Sequence, residues 1–395
     1  MKIKRISTIV TSVPLGKKKF FSSQAMFPER TSFLVRIESD NGLIGWGEGG
    51  QWGPSSPVAS VIGTVFVPKL LGEEILQPSV IWEKLYTYCR DFGSKGTYIE
   101  AMSAIDIALW DLMGQYLKIP IHSLLGGAFR TEIKPYATGF YYRDTTDFSS
   151  ALALELLADE AKSYIDDGFL FLKVKIGMAP LADDIKRVEA IRKVVGDEIT
   201  LMADPNHAYN VSNALLIGRD LQALGVKFFE EPVVPEDLEG YRMLRKSLDM
   251  AIAGGECEYT RFGFRELIGR GCVDIVQPDI CAAGGFSEFL KISALASAHN
   301  VMVLPHVWGS GISVAASLHA IASTPWQPYT YLPIPLQNDP VVEFDRNYNP
   351  LRDDLIEPVI KRSENSVFVP TGPGLGITVN EDRLAKYISA INHYD

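Results

Sequence analysis

The spacing of hydrophobic and polar residues changes twice along this chain. Residues 1 to about 50 alternate in period two, with Phe33-Leu34-Val35-Arg36-Ile37-Glu38 and Leu43-Ile44-Gly45-Trp46-Gly47-Glu48 flanking Asp40-Asn41-Gly42. That pattern predicts a β-hairpin. Between a first strand and this hairpin, Phe20 to Arg30 forms a loop rich in aromatics that carries Gln24 and Arg30. A loop of that length in a compact domain usually serves function or is disordered. From Val58 to Leu117 the period becomes helical. The run Glu100 to Met113 places Ile105, Leu109 and Leu112 on one stripe, with Asp106 on its flank. Acids at such positions are expected to be solvated or to cap helices. Pro120 and Gly126-Gly127 then break the pattern, which predicts a first α+β domain over residues 1–127.

Beyond Lys134 the chain repeats strand, loop and helix. Predicted strands are Lys134 to Thr138, Phe171 to Ile176, Ile199 to Ala203, Val226 to Glu230, Met250 to Gly254, Val273 to Gln277, Val301 to Pro305 and Val341 to Phe344. Helices such as Asp183 to Val195, Asn213 to Leu224 and Ser287 to His299 separate them. Eight units in about 210 residues fit a (β/α)8 barrel, here over residues 128–365. A doubly wound open sheet would gather its polar residues at one switch point, whereas here they recur at nearly every strand end. Residues 366–395 are expected to return to the first domain, with Val367 to Pro370 and Ile377 to Val379 as a strand pair.

Composition narrows the function. The 395 residues exceed what one hydrophobic core usually covers, so two domains are expected. A formal net charge of −10 argues against nucleic-acid or anionic-membrane partners. Cys89, Cys257, Cys272 and Cys281 are too few and scattered for a disulfide scaffold or a thiolate zinc site, so a reducing cytoplasm is the expected location. The N-terminal apolar run is too short for a signal peptide, and no run approaches the roughly 18 residues of a membrane span.

The chemistry gathers at the strand ends. In Phe171-Leu172-Lys173-Val174-Lys175-Ile176-Gly177 the two lysines share one face of a strand, and Leu172, Val174 and Ile176 take the other. Paired lysines in a buried strand need anions or a task, and like charge nearby is expected to lower the pKa of one of them towards that of a base. The next three strands end in Ala203-Asp204-Pro205-Asn206-His207, Phe229-Glu230-Glu231-Pro232 and Gly254-Gly255-Glu256. Three carboxylates would thus meet on the C-terminal rim, where barrel active sites lie. They would repel unless a cation stood between them, and hard oxygen ligands select Mg²⁺ over zinc. Strand parity admits only one of Glu230 and Glu231 to the interior, and either would serve. Asp279 and His306 end the sixth and seventh strands, so a carboxylate could orient the imidazole and raise its basicity.

Taken together, these residues resemble the enolase superfamily, and within it the mandelate racemase subgroup, over essentially the whole chain. The resemblance implies that Asp204, Glu230 and Glu256 bind Mg²⁺, which settles the choice of Glu230. It also implies that Lys175 and His306, the latter paired with Asp279, act as base and acid, and that Lys173 helps to hold a substrate carboxylate. Asn206 matches a polar residue near the metal, and Glu343 resembles an acid that hydrogen-bonds the substrate carboxylate. The runs Phe229 to Glu236, Val276 to Cys281, Pro305 to Gly311 and Glu343 to Arg346, with His207 after Asn206, are similar to galactarolactone and anhydro-sugar-acid cycloisomerases. The implied reaction is proton removal α to the carboxylate of a sugar acid, then opening of a lactone or anhydro ring. Loss of water, racemisation or binding without catalysis are the alternatives. Specificity is expected from Phe20 to Arg30, the Gly49 to Pro54 loop around Trp52, and Trp308. Barrels with such caps commonly associate, so a homo-oligomer is expected.

Overall fold

A computed structural model of the protein describes residues 1–50 and 53–395. Eight parallel strands follow one another around a curved sheet: Pro135–Gly139, Phe171–Lys175, Thr200–Asp204, Val226–Glu230, Ala251–Gly254, Ile275–Val276, Met302–Val303 and Val342–Asp345. The first seven hydrogen-bond in chain order, and the eighth pairs with the first. Helices Ala151–Asp166, Leu181–Val195, Val211–Ala223, Leu238–Ser247, Thr260–Gly269, Gly285–Ala298 and Gly311–Ser323 each follow a strand, and the eighth strand is followed by the single turn Pro350–Asp353. This is a (β/α)8 barrel with a reduced last helix. Strand parity splits its core in two. Leu172 and Val174 pack outward against the helices, while Tyr136, Met202, Phe228 and Leu304 fill the interior below the lysines.

The cap is an antiparallel sheet in the order Ile388–Tyr394, Ile3–Pro14, Glu29–Ser39, Ile44–Gly49. Helix Thr97–Leu117 lies directly on it. A Cβ on Gly47 would stand 1.9 Å from the Ala104 carbonyl oxygen, so the alternating glycines of the last strand allow the helix backbone to touch the sheet.

Two acids of the cap serve the barrel. Asp106 is 2% exposed and accepts from the Ser287 N–H (2.9 Å), in the first turn of helix Gly285–Ala298. Glu48, wholly buried, accepts from the N–H groups of Ser310 (2.9 Å) and Ser313 (3.0 Å) at the start of helix Gly311–Ser323. Carboxyl oxygens at a helix N-terminus satisfy its orphan donors. The expected capping role therefore holds for Asp106, across a domain boundary, and solvation does not. Asp111, also buried, bonds the N–H groups of Trp46 and Leu375.

The C-terminal return takes another route than expected. Strand Ser366–Phe368 pairs with Arg362–Ser363 and Glu132–Ile133, and Thr378–Val379 pairs with Ile356–Glu357. Between the two strands, Pro370 and Pro373 with Gly372, Gly374 and Gly376 disfavour a hairpin. Ile388–Tyr394 is the segment that rejoins the cap, as an edge strand on Ile3–Pro14.

Candidate active site

Lys173 and Lys175 stand on the second barrel strand in register with Met202 and Asp204 of the third. Lys173, wholly buried, reaches Glu230 at 2.7 Å, Glu343 at 2.9 Å and Asp204 at 3.4 Å. Lys175 donates to Asp204 and to Asn206 Oδ1 (2.9 Å), and the Asn206 N–H returns to Asp204 Oδ1 (2.8 Å). Across the same mouth, on the sixth and seventh strand ends, His306 Nδ1 lies 2.7 Å from Asp279 Oδ2. Its Nε2 faces Glu256 at 3.5 Å and Glu343 at 3.9 Å. Glu343 also accepts from Thr138 Oγ1 (2.5 Å) and from the Val307 N–H (3.1 Å).

The charges do not behave as the lysine pair alone would suggest. Burial works against both ammonium groups, but Glu230, Glu343 and Asp204 outweigh it at Lys173, and chiefly Asp204 does so at Lys175, so both are raised. The expected lowering fails because carboxylates outnumber the two cations. Burial and the neighbouring Asp204, Glu343 and Glu256 push the Glu230 carboxyl up to about 8 against the pull of Lys173. Burial and Glu231 push Glu256 up to about 7. At His306 burial is outweighed by Glu256, Asp279 and Glu343, which hold the imidazole at about 10.

The arrangement fits a divalent cation. Glu230 Oε2 and Glu256 Oε2 are buried without a hydrogen-bond partner among the described residues. Leaving such groups unsatisfied is costly, and like-charged carboxylates cluster stably only around a counter-ion. Three hard oxygen donors suit Mg²⁺.

A cavity of about 280 Å³ opens beside these groups. Lys175, Asn206, His207, Glu256, His306 and Trp308 line it. Lys173, Asp204, Glu230, Asp279 and Glu343 do not reach its wall and are buried. Of the Phe20 to Arg30 segment, Ser22, Gln24, Ala25 and Phe27 line the cavity, and Phe20 and Phe27 stack at 4.9 Å as part of a small strand pair. Arg30 does not line it. Its guanidinium bonds Asp345 (2.5 Å) and lies 4.5 Å from the Trp308 ring centre, holding that indole from behind. Trp52 lies outside the described residues. Tyr141, Cys257 and Tyr259 also line the cavity and were not singled out from the sequence. Their one signal is position, in the loops that follow the first and fifth strands.

A barrel closed by an α+β cap, with its polar cluster on the C-terminal strand ends, defines the class of protein. Residues 156–383 match the family described as enolase C-terminal domain-like, and residues 5–126 match the mandelate racemase / muconate lactonizing enzyme N-terminal domain. The chain is 39% identical to the D-galactarolactone cycloisomerase of Agrobacterium fabrum, covering 93% of this chain and 94% of that one. It is 37% identical to the arabinonate dehydratase of Saccharolobus solfataricus, covering 89% of each. The crystal structure of the 3,6-anhydro-D-galactonate cycloisomerase from Zobellia galactanivorans superposes with a TM-score of 0.86 at 39% identity, covering 99% of this chain and 100% of that one. The chain belongs to the enolase superfamily, in the mandelate racemase subgroup, and is an enzyme of that superfamily. Its relatives are sugar-acid cycloisomerases and dehydratases.

Proposed function

We propose that the enzyme removes the proton α to the carboxylate of a sugar acid and expels a ring oxygen from the β-carbon, opening a lactone or anhydro ring to a linear 2-keto acid. The observation that carries this reading is the meeting, on one barrel rim, of Lys175 and the His306–Asp279 pair with three buried carboxylates. Asp204, Glu230 and Glu256 would hold Mg²⁺, which supplies positive charge to the substrate carboxylate as the enediolate forms.

The remaining work falls to the chain. Lys173 helps to hold the substrate carboxylate, and Glu343, carrying a proton when the substrate is bound, donates a hydrogen bond to it. Asn206, His207 and Trp308 bind the rest of the sugar acid. Lys175 and His306, on the second and seventh strands, divide the roles of base and acid. One takes the α-proton as the C–H bond breaks and its electron pair moves into the carboxylate. When the enediolate collapses, the β-carbon–oxygen bond breaks, and the other returns a proton to the oxygen that leaves. The resulting enol tautomerises to the ketone. General acid–base catalysis of this kind contributes about 10²–10⁴-fold.

Dehydration is the second reading, favoured by the likeness to arabinonate dehydratase. It shares the first step and differs only in whether a hydroxyl or a ring oxygen leaves. Incubating the Mg²⁺-loaded protein with sugar lactones, 3,6-anhydro aldonates and open-chain aldonates, with products identified by NMR, separates the two. Ring opening without loss of mass supports the cycloisomerase; a product lighter by one water supports the dehydratase. The cap, which we assign to residues 1–127 and 366–395, supplies Ser22, Gln24 and Phe27 to this cavity.

A further inference from the structure

The strand ends that supply Glu230 and Glu256 carry a second set of donors. Glu231 and Cys257 directly follow them in the chain. Asn206, His207 and Glu231 all adopt left-handed backbone, with φ of 44°, 51° and 39°. The His207 N–H donates to the Glu231 carbonyl at 2.7 Å. Such conformations are costly for residues with a Cβ and recur at functional sites. Here they bring the two side chains together, with His207 Nδ1 3.0 Å from Glu231 Oε2. Both atoms are buried without an aligned hydrogen bond among the described residues, and Glu231 is only 1% exposed. The ligating atoms of His207, Glu231 and Cys257 all lie within 4.8 Å of one another.

We propose that His207, Glu231 and Cys257 form a second cation site, selective for a thiophilic divalent ion of the zinc class, with its fourth position open to the cavity that His207 and Cys257 line. One nitrogen, one sulfur and one carboxylate oxygen is a donor set that zinc accepts in tetrahedral geometry. With zinc–sulfur and zinc–nitrogen bonds of about 2.3 and 2.1 Å, neighbouring donors stand about 3.6 Å apart, so the side chains need close by little more than an ångström. A carboxylate and a thiolate together balance a dication. The two cation sites then differ in softness: three carboxylates favour Mg²⁺, whereas a thiolate and an imidazole disfavour it. The fourth ligand would be water or a substrate hydroxyl. This assignment uses none of the donors Asp204, Glu230 and Glu256 proposed for Mg²⁺, and shares with the reading of the reaction only His207, which would meet the sugar acid through the second ion.

Cobalt(II) titrated into the full-length protein at saturating Mg²⁺ tests it, because a cobalt–thiolate bond gives a charge-transfer band in the near ultraviolet. One equivalent of cobalt should produce the band and Zn²⁺ should bleach it. Cys257→Ser should abolish it, and His207→Gln should weaken cobalt binding by about tenfold or more, with circular dichroism confirming that both variants are folded. Absence of a band in the folded wild-type protein would overturn the site. So would a band that survives Cys257→Ser, since the remaining cysteines, Cys89, Cys272 and Cys281, are buried elsewhere.

Discussion

His306 and Asp279, from adjacent strand ends, stand 2.7 Å apart, with the carboxylate wholly buried and the imidazole 4% exposed. Because Nδ1 is engaged by Asp279, Nε2 is the nitrogen turned towards Glu256 and Glu343. The pair therefore fixes which ring atom can exchange a proton. Replacing Asp279 with Asn keeps the shape and removes the charge. We expect Asp279→Asn to lower kcat by about 10²–10⁴-fold with little change in KM. A variant whose KM rises while kcat holds would place Asp279 in binding instead.

The orphaned oxygens of Glu230 and Glu256 predict dependence on a divalent cation. Chelation should abolish turnover, and Mg²⁺ should restore it. Mg²⁺ should also raise the melting temperature, with about 2.7 kcal/mol of added stability at a hundred times its Kd. Glu230→Gln and Glu256→Gln should each lose most of that stabilisation. Full activity in excess chelator would remove the metal from the account.

Asp106 makes stability depend on pH in a predictable sense. Burial, opposed by its bonds from Ser287, pushes its carboxyl up to about 7, whereas in the unfolded chain it titrates near the ordinary value of about 3.9. Between those values the folded protein keeps a proton that the unfolded chain has lost, so this group's contribution is full below about pH 4 and falls as pH rises towards 7. Asp106→Asn has no such titration. Urea denaturation should show the stability of the variant relative to wild type growing between pH 4 and 7, by at most about 1.4 kcal/mol per pH unit. Parallel profiles would show that Asp106 is ionised in the fold.

Gly47 fixes the distance between sheet and helix in the cap. Gly47→Ala places a methyl carbon where the Ala104 carbonyl already stands, and the obstruction is backbone rather than a flexible side chain. We expect a loss of about 1–3 kcal/mol in denaturation experiments, as for overpacked cores. Wild-type stability in this variant would mean the helix can lift from the sheet without cost.

The barrel was legible because its signals are local. All eight strands lie within two or three residues of their sequence positions, since each is a short apolar run closed by a polar or turn residue. The strand-end residues were legible for the same reason: the side-chain period of two puts Lys173 and Lys175 together, and chain order puts Asp204, Glu230 and Glu256 on adjacent strands. Relations across the molecule were not legible. Nothing in the flanks of Asp106 or Glu48 indicates that each caps a helix some 180 or 260 residues away. Arg30 reads as a loop residue facing substrate, yet its partner is Asp345 on the eighth strand. The lysine electrostatics also depended on a count of carboxylates in space, and Glu343 comes from far along the chain.

Exchange at the α-carbon tests the central assignment most directly. The Mg²⁺-loaded enzyme in deuterated water, given a sugar acid that it converts, should wash solvent deuterium into the α-position of the recovered substrate or, through the enol, into the carbon beside the new ketone. Lys175→Ala and His306→Asn, each folded and each still binding Mg²⁺, should both lose turnover, and at least one of them should also lose the exchange. Full turnover in both variants would contradict the account.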